Sequence, residues 1–123
     1  MSFALTQYQQ AQVETASPVR VVVQLYASAL RRIAEGRQAL EARDYPTAAA
    51  SLGRAHAIVS ELQASLDASH APELCAELSG LYDFCLHRLR EASTKSAPAL
   101  LEPVENVLRE LEQAWQDLAQ VAP

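Results

Sequence analysis

Three histidines, His56, His70 and His87, are the side chains best suited to metal or phosphate chemistry. Zinc sites and di-iron helical bundles need paired ligands at spacings such as His-x-x-x-His, Cys-x-x-Cys or Glu-x-x-His. None of these spacings occurs in the sequence. We therefore expect neither a metal nor a cofactor, and we place His56 and His87 on the surface and His70 in a turn.

His56 raises a second possibility, histidine phosphotransfer. A module of that kind is a four-helix bundle with an exposed helical histidine, a small residue beside it and usually a nearby lysine. Gly53 lies one turn before His56, but the one lysine of the chain is Lys95. This signalling module is the alternative function. Glycines occur singly, so no phosphate-binding loop is present, and no pattern indicates an enzyme.

The two cysteines, Cys75 and Cys85, are ten residues apart. On one helix that spacing corresponds to about 15 Å, too far for a disulfide. We expect two free thiols that act as small core residues in a reducing compartment, the cytoplasm. No apolar run approaches the roughly 20 residues of a membrane span, and no basic residue precedes Arg20, so we expect neither membrane insertion nor a secretory signal.

Apolar residues recur every three or four positions in four segments of the sequence, which is typical of amphipathic helices. These helices must position the histidines and cysteines. The first, 18–42, follows Ser17 and begins with Pro18. The second follows a break at 44–46 and ends near 65–67. The third begins at Pro72 and carries the stripe Leu74, Leu78, Leu81, Cys85, Leu89 and Ala92.

The fourth helix has the most regular seam, with steps of three and four from Leu101 to Leu118. Pro103 would break a helix interior, so we expect the helix to begin at Leu101 or Glu102, with Pro98 in the connection or in a separate short turn. No segment alternates with period two. We predict an all-α, antiparallel up-down four-helix bundle over 17–120, with 1–16 as a short N-terminal segment packed on it as a lid or clamp.

The net charge of −5 argues against a nucleic-acid partner, because such proteins usually present a basic face. The charge is uneven. Residues 18–43 hold five Arg and two Glu, a local excess of +3, whereas 94–123 hold two basic and five acidic residues, a local −3. These segments could attract each other, but we favour the interpretation that both are solvated faces.

Several apolar side chains lie off the predicted core stripes: Val21 and Leu25 on the first helix, and Tyr82, Phe84 and Leu86 on the third. They fit two interpretations. A wide face of each helix is buried, or an exposed apolar groove receives a partner helix. The second interpretation makes the protein a binding module, and the sequence leaves the choice open.

Short stretches along residues 8–118 resemble the FliS family of cytoplasmic export chaperones for flagellin. They comprise Tyr8 followed by Gln12 to Pro18, Leu25-Tyr26 with Ala29-Leu30, Ala55 to Asp67, Leu81-Tyr82-Asp83-Phe84 with Arg88-Leu89, and Val104 to Trp115. The sequence departs from that family's pattern at Ala27-Ser28, where the family has Asp-Gly, and at Ser93, where it usually has Asn.

The resemblance implies a protein without enzymatic activity that binds the disordered C-terminal segment of flagellin. Covering that segment prevents premature polymerisation, and the complex docks at a component of the flagellar export gate. The sequence does not decide between a monomer and a dimer. Combining the resemblance with the off-stripe residues, we predict that the client contacts Leu5, Tyr8, Val13, Leu25, Tyr82 and Leu86.

Overall fold

A computed structural model describes residues 19–69 and 71–121, the last three by their backbone alone. Within these ranges the chain forms four long helices and no strand: α1 (Val19–Glu41), α2 (Tyr45–Ala64), α3 (Pro72–Lys95) and α4 (Leu101–Val121). A short 3-10 turn, Pro98–Leu100, precedes α4. The all-α prediction is confirmed, whereas the expected packing of 1–16 lies outside the described residues.

The helix ends follow from local side-chain and backbone chemistry. The Asp44 carboxylate accepts a hydrogen bond from the Thr47 backbone N–H at 3.4 Å, which caps the start of α2. Between α1 and α2, Arg43 adopts a left-handed conformation with φ 59°. Ser96 does the same at φ 50° and ends α3, which is a common way to terminate a helix.

Pro103 lies in the first turn of α4, as predicted, because the helix begins at Leu101. Proline is tolerated there since the first backbone N–H groups of a helix have no partner within it. Pro98 belongs to the preceding 3-10 turn, which closes with a hydrogen bond from Leu100 N–H to Ala97 O at 3.1 Å. The connection is therefore short enough to bring α4 back alongside α3.

The helices form a ring in which α1 neighbours α2, α2 neighbours α3, α3 neighbours α4, and α4 closes on α1. Side-chain pairs show the direction. Gln63 contacts Ser79 while His56, earlier on α2, contacts Arg90, later on α3. The two helices are therefore antiparallel, in agreement with the predicted up-down topology.

The core runs the length of the bundle and takes side chains from all four helices. Its largest fully buried members are Trp115, Tyr26, Ile33, Leu52, Leu78, Leu89, Leu101, Leu108, Val59, Val104 and Cys85. Helices α1 and α2 approach each other most closely at Gly36, where an added Cβ would lie 2.7 Å from Leu52 Cγ. This contact requires glycine, because any side chain there would displace a buried leucine.

Candidate functional site

A polar connection crosses the core and joins three helices. The hydroxyls of Tyr26 on α1 and Tyr82 on α3 hydrogen-bond to each other, and Tyr26 also bonds the side chain of Trp115 on α4. Burial raises the pKa of Tyr26 to about 12, although its hydrogen bonds oppose that shift. The bundle therefore fixes the diagonal helices α1 and α3 by a directional contact as well as by apolar packing.

Tyr82 corrects the prediction for α3. We expected Leu81 in the core stripe and the Tyr82 ring on the surface, but Tyr82 is 2% exposed and Leu81 is half-buried at the edge of the core. The phenol can occupy the interior because Tyr26 satisfies its hydroxyl. The Tyr82 ring is therefore part of the core and does not line an open groove.

A buried ion pair clamps α1 to α4. The Arg37 guanidinium donates two hydrogen bonds to the Glu105 carboxylate, one of them 3.0 Å long, and Glu105 is 3% exposed. Arg109 lies 3.7 Å from the same carboxylate. The interpretation of both charged segments as solvated faces is therefore wrong at this point, because a carboxylate of the second segment is buried and is bound in bidentate fashion by a partly exposed arginine of the first.

Leu25 and Leu86 are both half-buried, but they lie on different seams of the bundle. Leu25 shares the face of α1 that carries Gly36, which meets α2. Leu86 lies between Asp83 and Arg90, whose side chains contact α2 from α3. Helix α2 therefore separates the two leucines. The other predicted contacts, Leu5, Tyr8 and Val13, lie outside the described residues.

An apolar row, which we call the α3–α4 row, follows the seam between α3 and α4. Sequence reasoning singled out Phe84 and placed Leu81 and Leu118 in apolar stripes, but it missed that they lie in one row. Its members are half-buried side chains that pack on the edge of the core: Leu81, Phe84, Val107, Ala114 and Leu118. The two helices approach each other less closely here than α1 approaches α2. A spacing of four and three on α4 (107, 111, 114, 118) is the signal that identifies the row.

The Arg88 guanidinium stands over the Phe84 ring of this row, 5.3 Å from its centroid, and also lies 3.7 Å from Glu91. Such a cation over an aromatic face is weakly stabilising when exposed. The row therefore combines apolar side chains with the long, charged side chain of Arg88 at its rim. Surfaces that receive an amphipathic helix have these features.

Both cysteines are free and buried, as predicted for small core residues. Burial raises the pKa of the Cys85 thiol to about 12, and burial likewise raises the pKa of Cys75, helped by the nearby Asp67. Cys75 also donates a hydrogen bond to Asp67 O at 3.3 Å. Thiols held in their neutral form are poor nucleophiles.

The histidines behave differently from one another. His87 is exposed, whereas His56 is half-buried and its Nε2 lies 3.1 Å from the Arg90 guanidinium. A phosphotransfer histidine needs an open ring, and here a cation covers one ring nitrogen. Lys95 is bound to Glu91. Among the described residues, no group of three His, Cys, Asp or Glu side chains is placed to hold a metal ion.

The described helices are too short or too polar to cross a membrane. Taken together, these features define a class: all-α bundle proteins that carry a partly buried apolar row along one seam. A family model described as "Flagellar protein FliS" matches residues 1–122. The chain therefore belongs to the FliS family, which confirms the resemblance seen in the sequence.

Similar proteins from three bacteria support this assignment. Flagellar secretion chaperone FliSB of Pseudomonas aeruginosa is 34% identical over 120 residues, covering 94% of this chain and 95% of that protein. Flagellar secretion chaperone FliS of Bacillus subtilis is 32% identical, covering 94% and 85%. The Vibrio cholerae protein of the same name is 30% identical, covering 87% and 79%.

Proposed function

We propose that this protein is a cytoplasmic export chaperone for flagellin. It binds the disordered C-terminal segment of flagellin, prevents that segment from polymerising prematurely, and delivers it to the flagellar secretion apparatus through a component of the export gate. The role is one of binding, without enzymatic activity. Membership of the FliS family and the names of its relatives, which are flagellar secretion chaperones, support the proposal.

The observation that carries the proposal is the α3–α4 row. Its five apolar side chains are only partly covered by the bundle itself, so a partner helix laid along the seam would bury them further. Burial of apolar surface contributes about 25 cal/mol per Å², and a disordered client that folds on binding offsets part of this gain by its ordering. That balance suits a chaperone that must later release its client.

Leu25 and Leu86 extend the proposed client path to the seams on either side of α2. Because these seams face different directions, one straight helix cannot contact both together with the α3–α4 row. The client would therefore wrap around the bundle in more than one segment. Residues 1–16, with Leu5, Tyr8 and Val13, act in this proposal as a lid that the client displaces or a clamp that closes on it.

The test is a titration of the chaperone with a peptide of the flagellin C-terminal segment. We expect circular dichroism to show a gain of helix beyond the sum of the separate components, and calorimetry to give the affinity. Phe84→Ser and Leu118→Ser should weaken binding about tenfold or more, as for anchors at an interface. Tyr45→Ser is the matched control, because Tyr45 is 49% exposed at the start of α2, away from the row and from Leu25 and Leu86.

Tyr8→Ala examines the N-terminal segment. We expect the stability of the bundle to change by less than about 1 kcal/mol, as for a residue outside a core. Client affinity should change by about 2 kcal/mol, as for an aromatic anchor: it falls if the segment is a clamp and rises if it is a lid that the client displaces. A large loss of stability with unchanged affinity would make Tyr8 a core residue. Binding that no seam variant weakens would contradict the proposed groove, and absence of any helix gain would contradict the chaperone function.

A further inference from the structure

A second surface feature, unrelated to the α3–α4 row, lies on the opposite side of α3. It is a cavity of about 210 Å³ between α2 and α3, open to solvent. Leu52 and Leu89 form its floor, and the polar side chains at its walls are His56, Arg90, Ser93 and Thr94. We call it the His56–Arg90 cavity. It shares the α2–α3 seam with Leu86 of the proposed client path, but Leu86 is not among the residues that line it.

The charges in the His56–Arg90 cavity are unbalanced. No carboxylate is among the described residues that line it, although the chain carries 15 acidic residues against 10 basic ones. The acidic side chains nearest along α3 are engaged elsewhere: Asp83 accepts from Gln63 at 2.7 Å, and Glu91 from Lys95 at 2.9 Å. Arg90 instead donates to the His56 ring at 3.1 Å. A guanidinium has five N–H donors, so this contact leaves most of the hydrogen-bond donors of Arg90 for a ligand.

The environment of His56 also favours an incoming negative charge. Burial lowers the pKa of His56, and the positive charge of Arg90 lowers it further. His56 and Arg90 are the titratable groups among the described residues that line the walls, and both walls belong to α2 and α3. An anion beside Arg90 would cancel that repulsion and favour the protonated ring, whose Nε2 then no longer accepts from Arg90 and donates a hydrogen bond to the anion instead.

The cavity has room and an entrance for such a ligand. Gly53 forms part of its edge, and a Cβ added there would meet nothing within 4 Å. Ser93 and Thr94 supply hydroxyl groups on the α3 wall. We propose that the His56–Arg90 cavity binds a small oxyanion, a phosphate or a carboxylate, between the Arg90 guanidinium and the His56 ring, with a hydroxyl of Ser93 or Thr94 as a further donor.

The test follows the histidine ring resonances by NMR while sodium phosphate or sodium acetate is added to the full chain at constant ionic strength. We expect the His56 signals to shift saturably and the His56 pKa to rise with the anion bound. His87, which is exposed on α3, serves as the internal reference. Arg90→Gln should weaken binding about tenfold, the loss of one charged hydrogen bond. Its fold is checked by circular dichroism.

Arg88→Gln is the matched control, since it removes the same charge from the other flank of α3. Its effect on binding should stay within about twofold. A response to phosphate alone identifies a phosphate or phosphoryl ligand, a response to acetate alone a carboxylate, and a response to both the shared oxyanion chemistry. The proposal is overturned if His56 responds to neither anion, if His56 and His87 shift together without saturation, or if Arg88→Gln weakens binding as much as Arg90→Gln.

Discussion

The seams of α1 and the α3–α4 row differ in how closely their side chains pack. On α1, Gly36 admits Leu52 of α2 on one side, and Arg37 binds the buried Glu105 of α4 on the other. Along the α3–α4 row, apolar side chains remain half-buried with no such close contact. The closed seams hold the fold, and the open seam leaves apolar surface partly exposed, which the proposed function assigns to the client.

The contrast implies that the two regions respond differently to substitution. A change at a closed seam should cost stability, because it leaves a cavity, a clash or an unpaired charge inside the bundle. A change at the open seam should cost affinity for the client and little stability. Four predictions examine this division, beginning with the largest expected effect.

Arg37→Met should destabilise the bundle by about 3 kcal/mol, because it leaves the Glu105 carboxylate buried without its bidentate partner. Urea unfolding measures the change. The double variant Arg37→Met/Glu105→Leu should recover most of the loss, since neither charge is then buried. Arg32→Met is the control at an exposed pair with Glu35, where the cost should be below about 0.5 kcal/mol. A similar cost at Arg37 and Arg32 would contradict the clamp.

Gly36→Ala should destabilise the bundle by about 1–2 kcal/mol. The added methyl group would overpack against Leu52, and this cost should exceed the free energy gained from the higher helix propensity of alanine. Gly53→Ala is the matched control in an open position on α2. It should stabilise by about 0.5–1 kcal/mol through propensity alone. Thermal unfolding of both variants gives the comparison, and a stabilised Gly36→Ala would show that Leu52 can move aside without loss.

Phe84→Ser should lower stability by only about 1 kcal/mol or less, although it removes a large aromatic side chain, because Phe84 is already partly exposed. Denaturant unfolding without the client measures this value. A loss near the 3–5 kcal/mol typical of a buried Phe truncation would place Phe84 in the core and remove the contrast between the two regions.

The smallest effect concerns pH and is absent near neutrality. Cys85 has its pKa raised by burial from 9.0 to about 12, and Tyr26 from 10.0 to about 12. Both groups ionise more readily in the unfolded chain, so their contribution to stability is constant below about pH 9 and declines as pH rises toward 12. Cys85→Ala should flatten part of that decline in unfolding experiments. An identical decline in the variant would show that other groups cause it.

The apolar spacing by itself determined the number of helices, their approximate limits and most of the core. Steps of three and four place Leu101, Val104 and Leu108 on one face whatever the helix packs against. Proline and cap chemistry likewise depend on a few neighbouring residues, which is why the start of α4 at Leu101 was predictable despite Pro103. The family was also visible in the sequence, because its short motifs keep their order and spacing.

Only the tertiary structure decided which side chains at the edge of a helical face are buried. Leu81 and Tyr82 are about 100° apart on α3, and the sequence cannot say which one turns inward until Tyr26 is known to satisfy the Tyr82 hydroxyl. Glu105 looked like a surface acid until Arg37, 68 residues earlier, was seen to pair with it. Such partners are distant in the chain. The free energy of burying a polar group depends on whether the folded protein pairs it with a hydrogen-bond or ion-pair partner.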